Sequence, residues 1–254
     1  MNLTEIFKDA ITYPSKNIKI LLILGVLLLA SQIVSGLRVV DTENAPLGII
    51  LSILTFIISI FVSGYLVSDL KSTLDLNDEM PEFDIKNNFI DGIKYFVIQL
   101  VYAIIMIVLL ILFILLAYVF AVYLQIPALV FLFAILALLS IIAVAFFSTI
   151  SYPRFADTGS IGEALNFKEV WNDIEAIGKL NLLSWVILLS VFIGLMLLVI
   201  FVVAIEILLI VSYVEILTII FAAIIALGII LLFTPFISLF ENRAIGLLYL
   251  EKDD

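Results

Sequence analysis

GYLVSDLKSTLDLNDEMPEFDIKNNFIDGIKYF, residues 64–96, is the longest polar interruption in the first half of the chain, and long apolar runs lie on both sides of it. The chain leaves one apolar run through a segment that carries Tyr65, crosses an acidic loop, and returns along an amphipathic segment that ends with Lys94. Since runs of this apolar length are typical of membrane helices, the stretch predicts a polar joint between two transmembrane segments.

The composition of the whole chain also indicates a membrane protein. Hydrophobic residues make up 65% of the 254 residues and charged residues 13%, and the mean hydropathy is +1.34; soluble domains are about half apolar and a quarter charged. The chain has no Cys and no His, which excludes disulfides, thiolate and imidazole catalysis, and most zinc and haem sites. A net charge of −10 argues against binding nucleic acid, which requires a basic surface.

Charge-free runs predict six transmembrane helices, because about 20 apolar residues cross the hydrocarbon core. The predicted spans are residues 20–37, 44–68, 95–124 and 128–150, followed by two spans between residues 182 and 239. Glu206 and Glu215 are predicted to mark the turn between the last two.

Prolines locate the predicted breaks between these segments. Tyr13-Pro14 should end a first short helix, and Gln125-Ile126-Pro127 should separate the third and fourth spans. Tyr152-Pro153-Arg154 should open a second large polar joint, and Pro235 should kink the sixth span.

Two amphipathic helices are predicted at the membrane interface. The first follows Asn2 and Glu5, which fit a capping box; the second follows the capping pair Ser160 and Glu163. The second helix has an apolar stripe formed by Phe167, Trp171, Ile174 and Ile177.

The segments before the spans resemble one another, since stretches that begin at Phe7, Phe83 and Phe167 each lead to a lysine, at Lys19, Lys94 and Lys179. We therefore predict an all-α, polytopic membrane protein, one membrane domain of residues 1–254. Its six transmembrane helices form three helical hairpins in pseudo-repeats 1–76, 77–158 and 159–254, with cytoplasmic interfacial amphipathic helices.

The basic residues predict the orientation. All of the 12 Lys and Arg residues except Arg38 fall on one side of the predicted topology. The positive-inside rule then places both termini and both large joints in the cytoplasm of a cell-membrane protein.

Three sets of side chains are candidates for function. A narrow hydroxyl face in the second span serves either helix packing or a polar path. Glu206 and Glu215 could bind a cation or protons at the outer face; the alternative is that they simply mark a turn. The acidic joint lacks the spacing and central Gly of a calcium loop, so it is a candidate surface for a cytoplasmic partner and no metal site is predicted. The hydroxyl face is Ser52, Thr55, Ser59 and Ser63, and the acidic surface is Asp75, Asp78, Glu79, Glu82, Asp84 and Asp91.

Several motifs resemble a known family: YPSKNIKILL from Tyr13, GYLVSDLKSTL from Gly64, MPEFD from Met80 and FIDGIKYF from Phe89. YPRFADTGSIGEALNFKEV from Tyr152 and PFISLFENRAIGLLY from Pro235 continue the resemblance over nearly the whole chain. Together they resemble the prokaryotic, mainly archaeal, integral-membrane family known as domain-of-unknown-function family 4013. The resemblance implies a membrane protein of about six spans and supplies no functional residues.

The sequence predicts a non-enzymatic membrane protein without a cofactor, because it carries no catalytic, nucleotide or dinucleotide motif. Its partners would be the lipid bilayer, with another membrane protein or a cytoplasmic protein as further candidates, and no nucleic acid. It would handle or organise lipid or partner membrane helices; the alternative is a permease or channel-like transporter of a small solute. A lateral groove for acyl chains favours the first function, and a polar cavity between the hairpins favours the second.

Overall fold

A computed structural model of the chain describes residues 2–40, 45–211 and 215–253, and the regular structure in these ranges is entirely helical. The α-helices are α1 (Leu3–Thr12), α2 (Ile18–Val40), α3 (Ala45–Leu74), α4 (Ile85–Tyr118), α5 (Ala128–Thr158), α6 (Ile161–Ala164), α7 (Phe167–Ile177), α8 (Lys179–Val211), α9 (Glu215–Gly228) and α10 (Thr234–Leu250). Short 3-10 helices cover Tyr13–Lys16 and Glu251–Asp253, and π-helical turns cover Val119–Tyr123 and Ile229–Phe233.

Within the described residues, six helical segments are long and apolar enough to cross a membrane, which confirms the predicted all-α fold and its number of spans. Their side chains are largely exposed around the middle of the bundle, as expected where lipid replaces water as the solvent. The segments are Ile18–Leu37, Pro46–Leu74, Ile85–Tyr123, Ala128–Thr158, Lys179–Glu206 and Thr218–Asp253.

The spans pack in sequence order around α3 and α10. Helix α2 packs against α3, α4 against α5, and α8 against α9, while α10 lies against α1, α2, α3 and α5. The closest association is between α3 and α4, which belong to different predicted hairpins. The grouping into three hairpins therefore stays a prediction.

Two glycines allow the close approach of α3 and α4. A Cβ atom at Gly64 would collide with the backbone oxygen of Asn88, and one at Gly92 would collide with the backbone oxygen of Ile60. Small residues at such contacts let helix backbones approach and gain packing energy where the lipid supplies no hydrophobic force.

Charged residues and buried side chains concentrate at one end of the bundle. We call this region, formed by residues 2–19, 65–96, 150–182 and 239–253, the polar end. Its core joins the buried faces of α1 and α7 to α10 through Ile6, Ala10, Val170, Ile174 and Leu248. The polar end is thus folded like a small soluble domain on one face of the membrane bundle.

Two of the predicted breaks are confirmed. Helix α1 ends at Thr12, and the 3-10 turn Tyr13–Lys16 follows it. The long third span ends before Pro127, with Gln125 in a left-handed conformation at φ 55°, and α5 begins at Ala128.

The predicted break at Pro153 is wrong, because α5 continues through it to Thr158 and is capped by Gly159, which has φ 67°. Side chains on both sides of the proline join this end of α5 to α6. The Ser151 hydroxyl donates to the Ala164 carbonyl at 2.5 Å, and Arg154 Nε donates to the Glu163 carbonyl at 3.1 Å. These contacts hold the extra turns of α5 against α6.

Two further expectations need correction. Ser160 caps only the single turn α6; α7 has a separate N-cap, Asn166. Glu206 lies inside α8, which continues to Val211, so it does not mark a turn. Pro235 directly follows the π-helical turn Ile229–Phe233 in a backbone that stays helical from α9 into α10, and the kink at this proline stays a prediction.

Candidate functional site

The hydroxyl face of α3 is used within the helix. Ser52 donates to the Gly48 carbonyl at 2.7 Å, Thr55 to Leu51 at 3.0 Å, and Ser59 to Phe56 at 2.8 Å. Ser63 is half-buried on the same helix. These four side chains line neither of the two cavities described below, which fits helix packing better than a polar path.

The two outer carboxylates are only partly placed. Glu206 is exposed on α8. Glu215 begins α9, but its side chain lies outside the described residues.

The acidic joint divides into an exposed part and a buried part. Asp75, Asp78, Glu79, Glu82 and Asp84 are exposed. Asp91 is 8% exposed and pairs with Lys71 at 2.5 Å, so it is no part of an accessible acidic surface. Asp84 caps α4 by accepting from the Asn87 amide at 3.1 Å, and this bond lowers the pKa of Asp84.

Sequence reasoning missed a buried polar network around Asp69, a fully buried residue of α3. The Tyr13 hydroxyl donates to Asp69 Oδ1 at 2.8 Å, and Asn242 Nδ2 donates to Asp69 Oδ2 at 3.0 Å and to the Leu66 carbonyl at 2.5 Å. Burial raises the pKa of Tyr13, so its hydroxyl keeps the proton that it donates. The network joins the first, second and last spans at the polar end.

Arg243 of α10 stands next to this network and is 3% exposed. Its Nε donates to Asp9 Oδ1 at 2.7 Å, and its two terminal nitrogens donate to the Asn77 carbonyl at 2.7 Å and to Asp78 Oδ1 at 3.1 Å. The guanidinium also lies 4.7 Å from the centre of the Tyr13 ring. One side chain thus ties α1, the acidic loop and α10 together.

The Arg243–Asp9 pair is one of three similar ion pairs at the polar end. Arg154 of α5 binds Asp173 of α7 at 2.7 Å, and Lys71 of α3 binds Asp91 of α4 at 2.5 Å. Each pair joins the last helix of one predicted repeat to the first helix of the next, and Arg243–Asp9 joins the third repeat back to the first. The three Asp–base pairs therefore form a closed cycle.

The three aspartates stand at equal intervals along the sequence, as do the N-caps of the helices that carry them. Asn2, Asp84 and Asn166 accept from the backbone amides of Glu5, Asn87 and Glu169 at 2.9, 3.1 and 3.4 Å. This equal spacing is present in the sequence. The comparison of stretches that begin at Phe7, Phe83 and Phe167 did not detect it, because those three residues are not equally spaced. The repeat boundaries themselves stay a prediction.

A central cavity of about 340 Å³ lies between α3, α4, α5, α8 and α10. Its polar and aromatic lining includes Tyr95, Tyr152, Trp185 and Glu241, with Leu66, Leu70 and Leu189 among its apolar lining residues. The rings of Tyr95 and Tyr152 lie 4.7 Å apart. No described Lys or Arg lines the cavity, and Glu241 is the one carboxylate among its described lining residues.

A second cavity is an apolar groove of about 630 Å³ on the side of the bundle. It lies between α2, α8 and α9 with the π-helical turn that follows α9, and its lining includes Ile18, Leu21, Val199, Val203 and Leu232. Apart from Ser15 at one end, every lining residue is apolar or glycine. Such a groove can hold hydrocarbon but offers little to a solute that needs hydrogen bonds.

The described residues contain no group of three or more carboxylates close enough to hold a metal ion. Asp157, Asp173 and Glu163 come near one another but are occupied by Lys252 and Arg154. Their arrangement is that of structural ion pairs.

Comparison with known proteins gives a family but no characterised relative. A family model described as "Protein of unknown function (DUF4013)" matches residues 47–205. Searches of curated proteins and of solved structures gave no match.

Proposed function

Because this chain belongs to the DUF4013 family of proteins of unknown function, we propose its function from its own geometry: it binds the acyl chains of bilayer lipids in the lateral groove and does so without catalysing a reaction. The observation that carries the proposal is the groove between α2, α8 and α9, about 630 Å³ of space with an almost wholly apolar lining. Hydrocarbon is the ligand that such a surface favours.

The position of the groove supports lipid as its occupant. Its walls belong to three candidate membrane spans, and residues beside it on the same helices, such as Leu198, Phe201 and Ile224, are more than half exposed. In a membrane these side chains contact lipid, so acyl chains are the most abundant molecules at the mouth of the groove.

A non-enzymatic role is part of the proposal. The carboxylates Asp9, Asp91 and Asp173 are each paired with a base, and the fully buried Asp69 accepts two hydrogen bonds. A catalytic acid or base needs a free proton site within reach of a substrate, whereas these groups are committed to holding helices together.

We expect a photoreactive lipid to label the groove in preference to other exposed apolar surface. The purified full-length chain would be reconstituted with a phospholipid that carries a diazirine in one acyl chain, and cross-links would be mapped by mass spectrometry. Labelling should be several-fold higher at Val199, Val203 and Leu232 than at exposed residues elsewhere, such as Leu138 and Ile114, because a lipid held in a groove exchanges more slowly.

The substitution Ala204→Trp places an indole in the groove and should reduce this labelling. Ala222→Trp adds the same side chain to α9 at an exposed residue that is absent from the groove lining, and should leave labelling unchanged. Uniform labelling of all exposed apolar side chains, unaffected by Ala204→Trp, would contradict the proposal.

We also propose that the polar end faces the cytoplasm, since it carries nearly all Lys and Arg residues. The chain has no native Cys, so Glu79→Cys and Gln125→Cys each create a single labelling site. In intact cells a membrane-impermeant maleimide should label Gln125→Cys, and Glu79→Cys only after permeabilisation. Labelling of both from the same side would overturn this topology.

A permease or channel-like role is the second candidate, and the central cavity favours it. That cavity is partly polar, contains Glu241, and lies between the predicted hairpins. Its lining includes none of Ser52, Thr55, Ser59 and Ser63, the hydroxyl face for which a polar path was one of the two expected roles. A trapped cationic solute should leak faster from proteoliposomes than from liposomes without the protein. Equal leakage rates would argue against this role.

A further inference from the structure

We infer that the central cavity is a binding site for an organic ammonium group, which the Glu241 carboxylate attracts and the rings of Tyr95, Tyr152 and Trp185 surround. The inference concerns different residues from the lateral groove, and it stands whether or not that groove holds an acyl chain. It rests on the unpaired carboxylate of the cavity and on its aromatic walls.

The charge comes from Glu241 on α10. None of the ion pairs within residues 2–40, 45–211 and 215–253 includes Glu241, and no Lys or Arg in those ranges lines the cavity. Asp9, Asp91 and Asp173 at the polar end are each held by a base. A half-buried carboxylate in a largely apolar cavity therefore lacks a cation.

The hydroxyls of the cavity leave acceptors for that cation. Thr149, Ser190 and Ser238 each donate to a carbonyl of their own helix, at 2.8, 2.7 and 3.1 Å. Their protons are directed away from the cavity, so the oxygen lone pairs remain for a positively charged group.

The aromatic walls distinguish an organic ammonium group from a metal ion. Tyr95 and Tyr152 lie with ring centres 4.7 Å apart, and Trp185 forms part of the opposite wall on α8. Faces of such rings attract N-methylated ammonium groups. Calcium and magnesium require several oxygen ligands, and the cavity offers a single carboxylate.

The cavity has room for such a group and an exit for an attached chain. Its volume of about 340 Å³ is within the range of about 300–1,000 Å³ for small-molecule sites. Helices α5 and α8 both line it, and beyond it both expose apolar side chains such as Leu138, Leu139, Val191 and Leu195. An alkyl chain on the ammonium group can pass between these helices into the bilayer.

Choline is the test probe, because it combines a trimethylated ammonium group with a hydroxyl. Equilibrium binding of radiolabelled choline would be measured on the full-length chain in uncharged maltoside micelles, with empty micelles subtracted. We expect saturable binding that Glu241→Gln weakens about tenfold and that the control Glu82→Gln, an exposed carboxylate of the acidic loop, leaves unchanged. The uncharged isostere 3,3-dimethylbutanol should not compete.

A second ligand completes the test. Decyltrimethylammonium and unlabelled choline are compared as competitors of radiolabelled choline. If decyltrimethylammonium competes at much lower concentrations, the natural ligand is an amphiphile from the bilayer. If the two compete equally well, the ligand is a free solute, which favours the permease. No saturable choline binding, equal competition by the uncharged isostere, or unchanged binding to a Glu241→Gln variant with normal thermal unfolding would overturn the inference.

Discussion

Replacing Gly64 with alanine should destabilise the protein by about 3 kcal/mol, at the upper end of the usual cost of overpacking. The new methyl group would meet the backbone oxygen of Asn88, which cannot rotate away as a side chain can. Helices α3 and α4 must then separate along their length, and the contacts between Ser68 and Asn88 and between Phe61 and Phe89 are lost with them. Gly92→Ala should have a similar effect, because its methyl group would meet the backbone oxygen of Ile60.

Thermal unfolding of the purified variants in detergent measures this effect. Gly194→Ala is the matched control: Gly194 lies within α8, and an added Cβ atom there has no neighbour within 4 Å. That variant should be as stable as the wild type or more stable by up to about 1 kcal/mol, since alanine favours helix more than glycine does. Equal unfolding temperatures for Gly64→Ala and Gly194→Ala would mean that α3 and α4 do not pack as described.

Arg243→Met should cost about 3 kcal/mol, the lower end of the range for removing one partner of a buried ion pair. The lower end applies because Asp9 is 29% exposed and can recover some hydration. The variant loses the bonds to Asp9, Asn77 and Asp78 together with the contact over the Tyr13 ring. We expect α1 to detach before the remaining helices unfold.

Limited trypsin digestion reports on α1 directly, because Lys8 lies on its exposed face. Cleavage after Lys8 should be faster in Arg243→Met than in the wild type. Lys168→Met removes the same charge from an exposed position on α7 and should change stability by no more than about 0.5 kcal/mol. If Arg243→Met matched Lys168→Met in both unfolding and digestion, the ion pair would not hold α1.

The number of spans was predictable because hydropathy acts over long windows and needs no tertiary information. The breaks were predictable where a proline coincides with a polar residue, as at Gln125-Ile126-Pro127. Pro153 misled because its effect depends on neighbours: Ser151 and Arg154 form bonds to α6 that keep α5 helical. These partners come from a later segment, which local sequence rules do not consider.

The candidate sites were less predictable for the same reason. Hydroxyl spacing along α3 correctly identified a common face, but not that its hydroxyls bond to their own helix. In the sequence, Asp69 and Glu241 are both single acids near the ends of apolar runs. Only the fold shows that Asp69 accepts bonds from Tyr13 and Asn242. Glu241, by contrast, lines a cavity. The equal spacing of Asp9, Asp91 and Asp173 was the one tertiary signal present in the sequence.

The hydrogen bonds of Asp69 have a consequence for biogenesis. A ribosome releases α3 long before α10, yet Asp69 accepts a bond from Asn242 on that later helix. Until α10 is inserted, Tyr13 is the one described donor to Asp69, and the second carboxylate oxygen depends on water or lipid head groups. A chain stalled before α10 therefore leaves this acid without one of its two native hydrogen bonds, which only the finished polypeptide supplies.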